Sequence, residues 1–168
     1  MNSVTEWNSF QKLLSEVSYR TLTEGATTPI YHYTNVDADS LELDPTYKKQ
    51  SYSSRDFETA STPRTFFYTN PSQKERFFTS SKLYKTEVPS GQIYNLTSDP
   101  DGYVAKHRHP VYGLRKGEDW DAMLEDIRDS FGGIFYSLPN FDVVAWFHPI
   151  LVNRVSDEEK EQVEKRDN

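Results

Sequence analysis

His32 is the residue best placed to do chemistry. It lies in Pro29–Asn35, PIYHYTN, a stretch that reads as a short strand. An imidazole can donate a hydrogen bond, accept one or carry a proton, so its use depends on what faces it. On a strand its ordinary role is a hydrogen-bonded structural one. Phe66, Phe67 and Tyr68 in RTFFYTN are by default core and cross-strand packing. His107 and His109 in KHRHP form an HxH pair with no matched third ligand, so no metal site is expected. With Lys106 and Arg108 they read as a small basic surface suited to a phosphate or an acidic target. Arg55 and Arg64 are candidates of the same kind, read first as solvated. The pairs Asp119/Asp121 and Glu125/Asp126 sit on the polar face of a helix and give no glycosidase arrangement. Neither GxxxxGK[ST] nor GxGxxG occurs, so the phosphate-loop nucleotide folds lack their signature.

The elements that must position these residues follow from pattern. Ser3–Val17 reads as an amphipathic helix: Trp7, Phe10, Leu14 and Val17 recur at helical spacing, and Ser3 with Glu6 makes a capping box. Pro29–Thr34 is a strand. The polar stretch Asn35–Pro63 reads as a long surface loop with a short helical or extended piece near Ser40–Leu43. Arg64–Asn70 is an aromatic strand, and Asn70-Pro71 opens a short helix over Ser72–Phe78. Lys82–Val88 and Gln92–Thr97 are strands around Pro89-Ser90-Gly91, a hairpin signal. Ser98–Lys116 is a second long connection containing the DPDG turn. Glu118–Phe131 is a helix ended by Gly132-Gly133. Ile134–Ser137, Asp142–Phe147 and Ile150–Val155 complete the strands, and the polar tail 156–168 is expected to be a frayed helix or disordered.

Composition bounds the class. The chain has 168 residues, enough for one domain with a real core, read as 1–155 plus the tail. Hydrophobic residues make up only 35% and mean hydropathy is −0.79, so the eleven Tyr, ten Phe and three Trp must carry much of the burial. The absence of cysteine excludes disulfides, thiolate chemistry and Cys-type zinc sites. A net charge of −7 argues against a broad phosphate-binding surface. No apolar leader and no run of about 18 apolar residues is present, so a soluble, cytoplasmic protein without membrane contact is expected. An α+β domain with mixed or antiparallel sheets fits the order of elements.

That order resembles the ADP-ribosyltransferase superfamily, in its diphtheria-toxin/PARP-like branch. His32-Tyr33-Thr34 is similar to the family's His-Gly-Ser/Thr strand. Phe66-Phe67-Tyr68-Thr69-Asn70 leading into 71–78 is similar to its aromatic strand and helix. LYKTEVPSGQIYNL looks like the next strand pair, and GGIFYSLPNFDVVAWFHP looks like the closing Gly-rich turn and hairpin. The resemblance covers Pro29–Val155.

The resemblance implies an ADP-ribosyltransferase-like fold, with sheets forming an NAD cleft and helices at the periphery. It implies NAD as a substrate, no metal, and a mono-ADP-ribosyltransferase of toxin, effector or phage-type modifier character. The acceptor would be macromolecular, with protein favoured over nucleic acid. His32 would grip ribose hydroxyls, Tyr33 would give backbone contacts where the family has glycine, and Thr34 matches the Ser/Thr. Phe67 or Tyr68 would stack on nicotinamide, with Thr69 as hydroxyl partner. The acid would be Asp142, or else Asp99 or Asp101, which follow Pro89-Ser90-Gly91 as in a rifamycin-modifying branch. His32, Tyr68 and Asp142 are thus the expected catalytic set. The competing reading is a catalytically inactive protein of this or another α+β fold that binds and inhibits a protein partner.

Overall fold

The computed structural model describes residues 25–46, 61–71, 81–115, 117–137 and 142–165. The expected helices over Ser3–Val17 and Ser72–Phe78 lie outside these residues, as does Arg55. Eight strands form one sheet: β1 (Thr27–Thr34), β2 (Ser40–Leu43), β3 (Thr65–Tyr68), β4 (Lys82–Pro89), β5 (Ile93–Asn95), β6 (Gly133–Ser137), β7 (Asp142–Trp146) and β8 (Ile150–Arg154). Among the described residues three α-helices accompany them: α1 (Tyr103–His107), α2 (Glu118–Arg128) and α3 (Asp157–Lys165). The strand order is β2-β8-β4-β1-β3-β7-β6-β5. Every pairing is antiparallel except β5–β6. The class is therefore α+β with a mostly antiparallel sheet. No described helix is long and apolar enough to cross a membrane.

Period-two alternation sorts the side chains onto two faces. One face carries Tyr31, Tyr33 and Leu83, covered by Val163 of α3, and farther along it Ile134, Tyr136, Val143 and Ala145, covered by Met123, Leu124 and Ile127 of α2. The other face carries Ile30, Phe67, Tyr84, Val144, Trp146 and Val152, joined to Leu43 and Val88 in one apolar cluster that crosses the sheet. Both faces are thus filled by large side chains, as the aromatic-rich composition requires.

Three expectations change. β5 does not form a hairpin with β4, because a 3-10 turn at Ser90–Gln92 redirects the chain to pair with β6 in parallel, leaving β4 between β1 and β8. The connection after β5 contains a helix, α1. The tail is an ordered helix joined to the sheet: the buried Tyr33 hydroxyl donates to Glu164 Oε1 at 2.8 Å, and Lys160 Nζ donates to the Ser81 carbonyl at 2.7 Å. The boundary at 155 therefore cuts through packed structure. The helix over Glu118–Arg128 also stops three residues short of the expected Phe131.

Gly132-Gly133 does not cap α2, whose C-cap is Asp129, but packs against β7. A Cβ on Gly133 would come within 2.7 Å of both the Ala145 carbonyl oxygen and Trp146 Cε3, and one on Gly132 within 2.5 Å of the indole Cη2. The Trp146 ring thus occupies the space a side chain on either glycine would need, at the Gly133↔Trp146 end of the β6–β7 ladder. Gly133→Ala is expected to destabilise the fold by about 1–3 kcal/mol through overpacking, measured as a lower denaturation midpoint in urea with unchanged slope.

Candidate functional site

β1 is bound unequally on its two sides. With β4 it makes eight consecutive Cα pairs, from Thr27↔Pro89 to Thr34↔Lys82. With β3 it makes one, Tyr31↔Tyr68. Beside that single crossing, the His32 side chain takes a ladder carbonyl: Nδ1 lies 2.9 Å from the Phe66 oxygen. A carbonyl only accepts, so Nδ1 carries the proton and Nε2 of the neutral ring presents a lone pair. Burial pushes the His32 pKa down more than the carbonyl bond raises it, so the ring stays neutral near pH 7.

The chain leaving β1 is held as firmly. The Tyr84 hydroxyl donates to the Val36 carbonyl at 2.6 Å and accepts from the Ala38 N–H at 3.0 Å. Val36 N–H in turn reaches Thr34 Oγ1 at 3.3 Å. Tyr84 pairs with His32 across β1–β4, so the tyrosine that pins this loop and the histidine share a face.

Alternation and register place the other candidates. Phe67 stands on the His32 face, its ring centroid 5.6 Å from the imidazole. Asp142 stands on the same face, because β7 alternates from Val144, which pairs with Phe67. Thr34 and Thr69 also alternate onto it, and the Thr69 N–H meets the Asp142 carbonyl at 3.4 Å. Asp142 is two strands and two residues away from His32, roughly 12 Å between Cα atoms. The two are therefore too far apart for a mutual hydrogen bond.

Tyr68 and Tyr33 are not in this group. Tyr68 points to the helix-covered face, where its ring lies 6.2 Å from Tyr33. A stacking role for Tyr68 beside His32 is therefore corrected by strand alternation. Phe67 is on the right side but fully buried, so it offers no open ring face as it stands. The ring that keeps partial exposure on this face is Phe135, which pairs with Val144 and is a diagonal neighbour of Asp142. Sequence reading passed over Phe135, although the alternation of GIFYS carries the signal once its register with β7 is known.

The alternative acids are used elsewhere. Asp99, at a left-handed φ of 45°, accepts from the Tyr94 hydroxyl at 2.6 Å and from the N–H groups of Val104 and Ala105 at 3.1 Å each. It fastens α1 to Tyr94 in the helix-covered core, and these bonds lower its pKa against the opposing effect of burial. Asp101 is exposed beside a cleft of about 360 Å³ at the β5 edge, far from β1 in the sheet order. Of the three carboxylates only Asp142 shares a face with His32.

The basic cluster is largely neutralised. Asp126 of α2 holds Lys106 Nζ at 2.7 Å and His107 Nε2 at 2.9 Å, while His109 Nδ1 accepts from the Val111 and Tyr112 N–H groups. Asp119 holds Arg115 through two side-chain bonds at 2.9 Å, which pulls its carboxyl down to about 2. Arg64 is buried, donating to the Thr62 carbonyl at 2.6 Å, and is no surface cation. Asp121 accepts from the N–H and hydroxyl groups of Ser61 and Thr62, tying the start of β3 to α2. Among the described residues no three His, Asp or Glu side chains converge to hold a metal ion.

No protein-family model, no curated protein and no solved structure matches the chain.

The neutral His32 gives a pH test. Its folded pKa lies below the ordinary 6.5, so in the window between the two values the unfolded chain binds more protons and stability rises with pH. Acidification through 6.5 is expected to lower the urea midpoint, with the loss levelling below the folded pKa. His32→Gln is expected to show a shallower dependence over that window in the same titration.

Proposed function

We propose that this protein is an NAD-dependent mono-ADP-ribosyltransferase whose substrate lies along the His32 face of the sheet. The observation that carries the reading is the convergence of His32, Thr34, Thr69 and Asp142 on one face, with β1, β3 and β7 as consecutive neighbours. These three strands are the ones whose motifs resemble those of the family. In this reading Nε2 of His32 accepts from a ribose hydroxyl at one end. Asp142 orients the nicotinamide-side ribose and stabilises the positive charge that develops there. Phe135 supplies the aromatic surface beside it in place of Phe67 or Tyr68. The bond from ribose carbon to nicotinamide nitrogen breaks, with its electron pair leaving on nicotinamide. A nucleophilic atom of a macromolecular acceptor then adds to that carbon and releases a proton to solvent. A protein acceptor is favoured over nucleic acid, because the chain is acidic and Asp126 and Asp119 hold Lys106, His107 and Arg115.

A second reading has one observation in its favour. Ile30, Phe67 and Val144 beside His32 are completely buried, as expected of a filled core in a non-catalytic protein that binds and inhibits a partner.

Incubation with NAD labelled in its adenylate half, together with cell lysate, separates the two. The enzyme reading expects transferred label and free nicotinamide. It also expects a loss of roughly a hundredfold or more in both for Asp142→Asn, and a clear drop for His32→Ala. No nicotinamide and no transferred label from the wild-type chain would leave the binding-protein reading.

A further inference from the structure

We propose that Thr65 is a second hydroxyl-gripping residue of the His32 site, so that the Thr65 hydroxyl and His32 Nε2 together hold two neighbouring hydroxyls of one ribose. The assignment of the sugar rests on the NAD reading above; the pairing of the two side chains rests on the structure. Thr65 is fully buried, and its Oγ1 has no hydrogen-bond partner among the described residues. A buried hydroxyl without a partner is unfavourable, and valine would fill nearly the same volume without that cost. Thr65 pairs with Trp146, and alternation in β3 puts it on the face of Phe67 and His32.

Continuing the register from Tyr31↔Tyr68 sets His32 opposite Phe67 and makes Thr65 its diagonal neighbour, roughly 7 Å away between Cβ atoms. This is the side of β1 whose ladder with β3 is the single pair Tyr31↔Tyr68. His32 is half-buried as a residue and Thr65 is fully buried, so the hydroxyl is the deeper of the two. The chemistry is complementary. Neutral Nε2 only accepts, whereas a threonine hydroxyl both donates and accepts. A vicinal diol satisfies both: one hydroxyl donates to Nε2 and its neighbour exchanges a hydrogen bond with Thr65.

The test is calorimetric titration of the wild-type chain, Thr65→Val and Thr65→Ser with NAD, ADP-ribose and adenosine, with denaturation midpoints measured in parallel. The expected result is binding about tenfold weaker for Thr65→Val, the loss of one hydrogen bond to a neutral group. Its denaturation midpoint should be equal to or above that of the wild type, because an unpaired hydroxyl has left the core. Thr65→Ser should bind within about threefold of the wild type, and carries the test if the valine variant does not fold. Wild-type affinity in a stable Thr65→Val overturns the hydroxyl pair and leaves the NAD reading intact. Binding of adenosine without any cleavage of NAD keeps the pair and overturns the enzyme. A wild-type chain that binds none of the three probes overturns both.

Discussion

The arrangement of the candidate site depends on one hydrogen bond, from His32 Nδ1 to the Phe66 carbonyl. Strand β1 is zipped to β4 along its whole length and touches β3 at a single pair. Next to that crossing the imidazole reaches from β1 to a backbone carbonyl of β3. The same bond fixes the tautomer and leaves Nε2 as an acceptor, while burial, working against the bond, keeps the ring neutral. A histidine so held is both a structural bridge between two strands and a directed ligand group. The two roles are linked because the proton that closes the bridge is the one that leaves the opposite nitrogen bare.

The helix-covered face has a different job. Tyr33, Tyr68 and Glu164 attach α3 to one half of the sheet, and Asp99 and Tyr94 attach α1 to the other. These contacts use the polar tips of aromatic side chains to bind helices that are poor in apolar residues, as in α3, where Val163 supplies the apolar contact to the sheet cluster. Carboxylates of α2 neutralise the neighbouring cations and tether the start of β3. The acidic and basic groups that look solvated in the sequence thus hold the frame against which the His32 face is set.

Strand positions were legible in the sequence, because runs such as TFFY and DVVAW are short and rich in aromatic and β-branched side chains. Which residues meet was legible only in part. RTFFYTN leaves Phe67 and Tyr68 equally available, since adjacent residues face opposite ways and only the pairing Tyr31↔Tyr68 fixes which accompanies His32. Pro89-Ser90-Gly91 is a true chain reversal, yet local turn chemistry does not encode that β5 goes to β6 instead of β4. Asp99 carries no local sign of its role, because its partners Tyr94, Val104 and Ala105 are brought together by the turn it anchors. The helix in the tail was legible as one of two alternatives, but its docking was not, because that rests on long-range contacts such as Glu164 with Tyr33 and Lys160 with Ser81. Thr65 and Phe135 were missed because each matters through its register with β7.

The central claim is that the His32 face, not the helix-covered face, binds a dinucleotide. The most direct measurement is residue-resolved NMR of the labelled chain, with NAD added in increments. Resonances of His32, Thr65, Phe135 and Asp142 are expected to shift together along one binding curve, with the His32 Nε2 nitrogen moving as a lone pair that gains a donor. Shifts confined to Tyr33, Tyr68 and the α3 contacts, or no shift at millimolar NAD, would contradict it.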